Sequence, residues 1–313
     1  MDKEIVSAVR SESVENPYES FDDRFHACQG DKQLRRLFSE GSWLEGPAYF
    51  PAGRYLVWSD VPNDRILRLD EMSGCTGIFR RDTNYSNGNT VDRQGRLVTC
   101  EHGTRLVTRT EHDGTITVIA DRYEGKRFNS PNDVVVHSDG SIWFTDSTYG
   151  IDSDYQGHFA KSEIGAQYVY RVDPVSGNTQ AVATDFVQPN GLAFSNDEKL
   201  LYIADTGASH VKDGPRHIRV FRVGSNGKLS GGDIFATCTA GAFDGFRVDS
   251  AGRIWTSAFD GVHCYDPDGT LLGKIRVPQI VANVCFGGPN RNILYICATT
   301  SLYSLRLSVT GNR

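Results

Sequence analysis

The stretch Ser130-Pro-Asn-Asp-Val-Val-Val-His-Ser-Asp-Gly-Ser-Ile-Trp-Phe-Thr-Asp146 decides the fold. An apolar run, a polar turn ending in Gly140 and a second apolar run predict a β-hairpin. The same pattern occurs six times. Its turn residues are Gly53, Gly95, Gly140, Glu198, Gly252 and Arg291, spaced by 42, 45, 58, 54 and 39 residues. Eight positions before each turn stands a polar residue: Glu45, Asn87, Asn132, Asn190, Asp244 and Asn283. Most copies add a third and a fourth apolar strand, and the third and fourth copies carry insertions. A period of this length with four strands per copy predicts an all-β protein, a six-bladed β-propeller with four-stranded blades.

The sixth copy ends at Leu307 without a fourth strand, while Gln33-Leu-Arg-Arg-Leu-Phe38 is a short alternating run with no sequence partner of its own. Pairing the two closes the ring with an N-terminal strand and removes two exposed sheet edges. The expected organisation is therefore an N-terminal extension over residues 1–32, wrapping the propeller with a helical turn near residues 21–28, and a propeller domain over 33–313. Two domains are a fair prior for 313 residues, but the repeats run from about residue 45 to 307 with no linker between them.

A net charge of −6 gives no general attraction to nucleic acid or anionic membrane. Seven cysteines without paired spacing point to a reducing compartment. With no signal-peptide pattern and no apolar run of about 18 residues, a cytoplasmic location is expected. Oligomeric state is not readable from these residues.

In a propeller the first strand of each blade lines the central channel, so the six polar residues converge on one mouth of it. Two carboxylates and four carboxamides are hard oxygen donors, suited to Ca²⁺ or Mg²⁺ rather than soft metals. Asn, Asp and Gly before a strand are ordinary turn residues. A turn role, however, does not require a polar side chain at one position all the way round. Seven residues past each turn, the second strand returns to the same mouth and brings Asp60, His102, Ser147, Asp205, Phe259 and Ala298. His102 is the one imidazole expected there, a proton carrier or substrate donor.

The segments Trp43-Leu-Glu-Gly-Pro-Ala-Tyr-Phe50, Arg127-Phe-Asn-Ser-Pro-Asn-Asp133, Gln188-Pro-Asn-Gly-Leu-Ala-Phe194 and Phe243-Asp-Gly-Phe-Arg-Val-Asp249 carry a resemblance over nearly the whole chain. They resemble the gluconolactonase/regucalcin (senescence marker protein) superfamily. Ser59-Asp-Val-Pro-Asn-Asp-Arg-Ile-Leu-Arg68 and Glu101-His-Gly-Thr-Arg-Leu-Val-Thr-Arg109 look most like bacterial gluconolactonases. The resemblance implies hydrolysis of a small sugar lactone with one central divalent cation, Ca²⁺ ahead of Mg²⁺, Mn²⁺ or Zn²⁺. It places the metal ligands on Glu45, Asn190 and Asp244, to which the repeat register adds Asn132. The Arg-x-Asn letters of animal members fall on Arg127 and Asn129 as substrate contacts, and Asn132 and His102 join them.

Asp244 is the candidate catalytic base, able to hold the cation with one oxygen and take a proton from water with the other; His102 is the reserve. No G-x-S-x-G elbow is present, so no serine nucleophile is implied. The insertion over residues 149–165 reads either as a lid carrying Tyr149, Tyr155 and Phe159 or as cover for a neighbouring blade. Two other classes stay open: a metal-dependent esterase or phosphotriesterase-like propeller, and a non-catalytic calcium-binding scaffold.

Overall fold

The computed structural model describes residues 5–7 and 13–312. Six small antiparallel sheets form a six-bladed β-propeller. Blade 1 runs outward through Leu44–Phe50, Tyr55–Asp60, Arg65–Asp70 and Thr76–Arg81. Blade 2 uses Ser86–Val91, Leu97–Glu101, Leu106–Thr110 and Ile116–Ala120. The inner strands of blades 3 to 6 are Ser130–Val136, Pro189–Phe194, Phe246–Val248 and Val281–Gly287. Each inner strand touches the next, and the last touches the first, so the ring is closed.

Closure uses the strand anticipated for it. Gln33–Phe38 pairs antiparallel with Ser301–Arg306, Leu302 facing Phe38 and Ser304 facing Arg35, and becomes the fourth strand of blade 6. Leu34 and Phe38 are both buried, Leu34 in the core between blades 5 and 6 and Phe38 in that between blades 6 and 1, where its ring meets Trp58 of blade 1 edge-on at 5.7 Å. Chain ends and first blade are thus stitched by apolar contact as well as by hydrogen bonds.

Three short strands described before this one lie on outer edges. Ile5–Ser7 pairs with the outer strand of blade 1, Ser13–Glu15 with Gln33–Phe38, and Tyr18–Ser20 with Leu271–Arg276 of blade 5. A 3₁₀ turn at Asp23–Ala27 then drives Phe25 into the blade 5 and 6 core, its ring 6.1 Å from Trp255. Gly273 leaves the space that ring occupies, since a Cβ there would sit 2.2 Å from it. Three blade edges are covered in this way, which blunts them as templates for further strand pairing.

Five of the six anticipated turn residues, Gly95, Gly140, Glu198, Gly252 and Arg291, have positive φ. Blade 1 differs by one position: Arg54 takes the left-handed conformation (φ 50°), and the Tyr55 ring lies over Gly53. Ahead of the turn, the pairing of first and second strands slips in blades 1, 2, 3, 4 and 6. A bulge of this kind re-aims side chains locally. In blades 1 to 4 it contains or directly follows the polar residue of the ring, turning Glu45, Asn87, Asn132 and Asn190 towards the channel mouth.

Candidate active site

A cavity of about 460 Å³ opens at that mouth. Its floor is Glu45, Asn87, Asn132, Asn190 and Asp244, five of the six residues of the repeat register. The sixth, Asn283, lies behind the floor, where its amide donates to Glu45 Oε2 at 3.0 Å. The Gly46 amide donates to the same oxygen at 2.9 Å. One carboxylate oxygen of Glu45 is therefore held by the scaffold.

The floor is packed tightly because glycine follows the polar residue in four blades. A Cβ on Gly46, Gly88 or Gly191 would fall 2.1–2.4 Å from the backbone oxygen of the polar residue in the next blade (Asn87, Asn132 and Asp244 respectively), and on Gly245 it would strike the Asn283 side chain. Backbones approach closely only where no side chain intervenes. This polar-Gly pair repeated in register was a further signal in the sequence, and it went unread.

Charge on the floor is concentrated. Burial pushes the Glu45 carboxyl up to about 7. Burial, with the nearby charges of Glu45 and Asp133, holds Asp244 well above the usual carboxylate range, while the Asn190 amide partly offsets this. Asp133 lies below, also raised by burial, with Arg247 3.8 Å away. Two buried carboxyls sharing one floor raise one another, and added positive charge there favours their anions beyond what the amide hydrogen bonds supply.

His102 is fully buried and stands behind Asn87 rather than in the cavity lining. Its Nδ1 lies 2.9 Å from the Gln156 carbonyl, which can only accept, so Nδ1 carries the hydrogen. Burial lowers its pKa to about 4 and keeps the ring neutral. Nε2 must then accept from Asn87 Nδ2 at 3.1 Å, which leaves Asn87 Oδ1 buried with no protein partner. The imidazole thus orients an amide oxygen on the floor.

Arg127 and Asn129 are likewise outside the lining. The Arg127 guanidinium donates to the Thr104 carbonyl at 2.9 Å, and its backbone amide donates to Glu163. The Asn129 amide donates to the Ala166 carbonyl and accepts from the Ser162 hydroxyl, so it fastens the end of the 149–165 insertion. The aspartates at the second-strand ends anchor loops as well: Asp146 accepts from the Asn129 and Ser130 amides, Asp205 from Val187 and Gln188, and Asp60 from Ser42.

Walls rise from loops that the register does not reach. Trp43 precedes the blade 1 strand, Tyr149 and Gln156 belong to the blade 3 insertion, and Thr206, Ser209 and Arg216 come from the corresponding blade 4 insertion. Phe259 completes an aromatic rim. Of the three aromatics expected in the blade 3 insertion only Tyr149 reaches the cavity, Tyr155 and Phe159 remaining 54% and 68% exposed.

The donor set fits a hard divalent cation. It offers carboxyl and amide oxygens converging on one floor, an orphaned Asn87 Oδ1 and a local excess of negative charge. Among the described residues no cluster of three or more His, Cys, Asp or Glu could hold a metal, so amide oxygens are indispensable to the set.

Comparison with known proteins agrees with this geometry. Residues 43–300 match the family model described as SMP-30/Gluconolactonase/LRE-like region. A gluconolactonase of Zymomonas mobilis is 29% identical over 88% of this chain and 81% of its own. A pentonolactonase of Haloferax volcanii is 31% identical over 80% of each. The solved structure of a Xanthomonas campestris gluconolactonase superposes with a TM-score of 0.88 at 38% identity, covering 96% of this chain and 99% of that one. With its six blades, its oxygen-lined channel mouth and a match over most of its length, the chain belongs to the SMP-30/gluconolactonase/LRE-like family.

Proposed function

We propose that the protein is a lactonase that opens a sugar lactone by attack of water, with one divalent cation, Ca²⁺ first, held by Glu45, Asn132, Asn190 and Asp244. Asn87 is the further oxygen donor of this reading. The observation that carries it is the convergence of five hard-oxygen side chains on the floor of one aromatic-walled cavity. Its relatives named as gluconolactonase and pentonolactonase support the substrate class.

Bound there, a divalent cation supplies Lewis-acid polarisation of the lactone carbonyl and charge to offset the oxyanion. The chain's own residues do the rest. Trp43, Tyr149 and Phe259 provide flat apolar faces against which a sugar ring can lie, and Arg216 and Gln156 offer donors to its hydroxyls. Asp244, which lines the cavity, takes the proton from the attacking water, and the Asn190 side chain hydrogen-bonds the same carboxyl and favours its anion. His102 keeps Asn87 oriented without exchanging protons at neutral pH.

The test is a lactone panel assayed with chelator and with added cations, on wild type and on Asp244→Asn. Chelation should abolish ring opening and Ca²⁺ restore it. Asparagine keeps a ligand oxygen but cannot accept the proton, so kcat should fall by ~10²–10⁴-fold at saturating cation. Turnover within a few-fold of wild type in a fully loaded variant would leave Asp244 as a ligand only.

A further inference from the structure

One hydrogen-bonded chain starts at the cavity wall, on Tyr149, and leads away from the chemistry above. Tyr149, a cavity residue, has its hydroxyl 2.8 Å from Ser209 Oγ. Ser209 Oγ is 2.8 Å from His210 Nδ1, and His210 Nε2 is 2.7 Å from Asp152 Oδ2. The Tyr149 and His210 rings meet edge-on at 5.1 Å. The chain joins the blade 3 insertion to the blade 4 insertion and runs outward, its last two side chains being 30% and 42% exposed.

We propose that Tyr149, Ser209, His210 and Asp152 form a proton exit wire that carries protons from the cavity to solvent during turnover. The need for one follows from the lactone-opening reading, on which this proposal rests. Water adds to the carbonyl, the ring C–O bond breaks, and the ring oxygen keeps one of the water's protons as a hydroxyl. The new carboxylic acid ionises at neutral pH, so one proton per turnover must leave. A sugar seated between aromatic walls fills the direct route for water.

The hydrogen-bond geometry supports two complete states that differ by one proton. Ser209 has a single hydroxyl hydrogen but two acceptors in reach, His210 Nδ1 and the Thr206 carbonyl, each at 2.8 Å. With His210 neutral, its Nε2–H donates to the Asp152 carboxylate, Ser209 donates to Nδ1, and Tyr149 donates to Ser209. Every donor then points outward, leaving a Tyr149 lone pair towards the cavity. A proton arriving on Tyr149 displaces the phenolic proton to Ser209 and the serine proton to Nδ1. The resulting imidazolium donates from both nitrogens, to Ser209 and to Asp152, while Ser209 turns to the Thr206 carbonyl. The Nε2 proton then leaves past Asp152 to solvent, which leaves hydrogen on Nδ1; exchange of the imidazole tautomer through solvent, returning hydrogen to Nε2 and freeing Nδ1, and rotation of the two hydroxyls reset the wire, with one proton lost in all. No group is left unsatisfied in either state.

The groups in contact with His210 are Asp152 and Tyr149 from the blade 3 insertion; Lys212, Asp213 and Arg216 follow it on its own loop. Asp152 also accepts from the Thr148 hydroxyl at 3.1 Å, which fixes it towards the ring. Burial, together with the Asp244 and Asp205 charges, raises the Tyr149 pKa, so the phenol passes protons on without resting as phenolate. His210 and Asp152 act only through Ser209 and Tyr149, which line the cavity.

His210→Gln tests the wire, because glutamine can accept from Ser209 and donate to Asp152 yet cannot carry a proton. In weakly buffered solution its kcat should fall about tenfold or more while KM stays near wild type, and the deficit should shrink as buffer concentration rises. Added free imidazole should restore the rate. Ser209→Ala should behave alike, and it replaces His210→Gln should that variant fail to fold. Wild-type kcat in either variant in weak buffer, or a loss that neither buffer nor imidazole repairs, would overturn the proposal. Nitrogen NMR of His210 in the resting protein gives a readout independent of activity: hydrogen on Nε2 and a bare Nδ1 near pH 8 are expected, and the opposite tautomer counts against the wire. Absence of any lactone hydrolysis by wild type would instead defeat the functional reading.

Discussion

With Glu45 as a ligand of the proposed cation, one residue links binding to folding. Without a cation its buried carboxyl is pushed up to about 7, against an ordinary value of 4.5. The folded state then holds the proton more tightly than the unfolded chain does. Its stabilising contribution is complete below about 4.5 and is lost as pH rises through about 7. For chelated protein, calorimetry should therefore find a lower Tm near pH 8 than near pH 5. Ca²⁺ should raise Tm at the higher pH, where the carboxylate it needs is already formed. Glu45→Gln should make the chelated profile shallower over this range, the raised Asp244, Asp133 and Asp146 carboxyls keeping part of the slope. A decline that persists unchanged in Glu45→Gln would assign the effect to other groups.

At the scale of the strand, the site depends on how closely neighbouring blades approach. Gly191 faces the Asp244 carbonyl so closely that an added Cβ would lie 2.2 Å from it and 2.8 Å from the Gly245 Cα, both backbone atoms that cannot swing aside. Gly191→Ala must therefore part the inner strands of blades 4 and 5. A cost of about 1–3 kcal/mol is expected from overpacking, with Asn190 and Asp244 moved apart. Thermal unfolding and cation titration should show both losses together; a stable protein with undiminished cation affinity would mean that the floor tolerates looser packing. The floor was legible in the sequence because hairpin repeats place equivalent residues at equivalent depths, whatever the side chain. The walls were not. Trp43, Ser209 and Arg216 come from loops that have no register, and Arg127 and Asn129 match letters of a motif whose side chains the fold spends on Thr104, Ser162 and Ala166. His102 was found by its register, but its role depends on a carbonyl 54 residues away that no local pattern announces.

Over the whole molecule, the ring holds the floor together only if it is closed, and closure depends on the pairing of chain ends. Gln33–Phe38 and Ser301–Arg306 are separated by almost the entire chain, so their pairing carries a large loop-closure cost that local hairpins avoid. Burial on both sides of the seam offsets that cost. Phe38, 1% exposed, lies within the apolar cluster containing Leu44, Trp58 and Leu302, which spans blades 6 and 1. Phe38→Ala should remove about 3–5 kcal/mol by leaving a cavity at this seam. The loss should reach the active site, because Glu45 directly follows Leu44 of the same cluster. Denaturant unfolding followed by tryptophan fluorescence should shift to a lower midpoint, and hydrogen exchange should rise first in Gln33–Phe38 and in the inner strand of blade 1. Cation affinity should weaken in the same variant, although Phe38 touches no oxygen donor. If exchange rises equally in all six blades while affinity is unchanged, the seam is no weaker than any other blade interface, and Glu45 is positioned by its own blade alone.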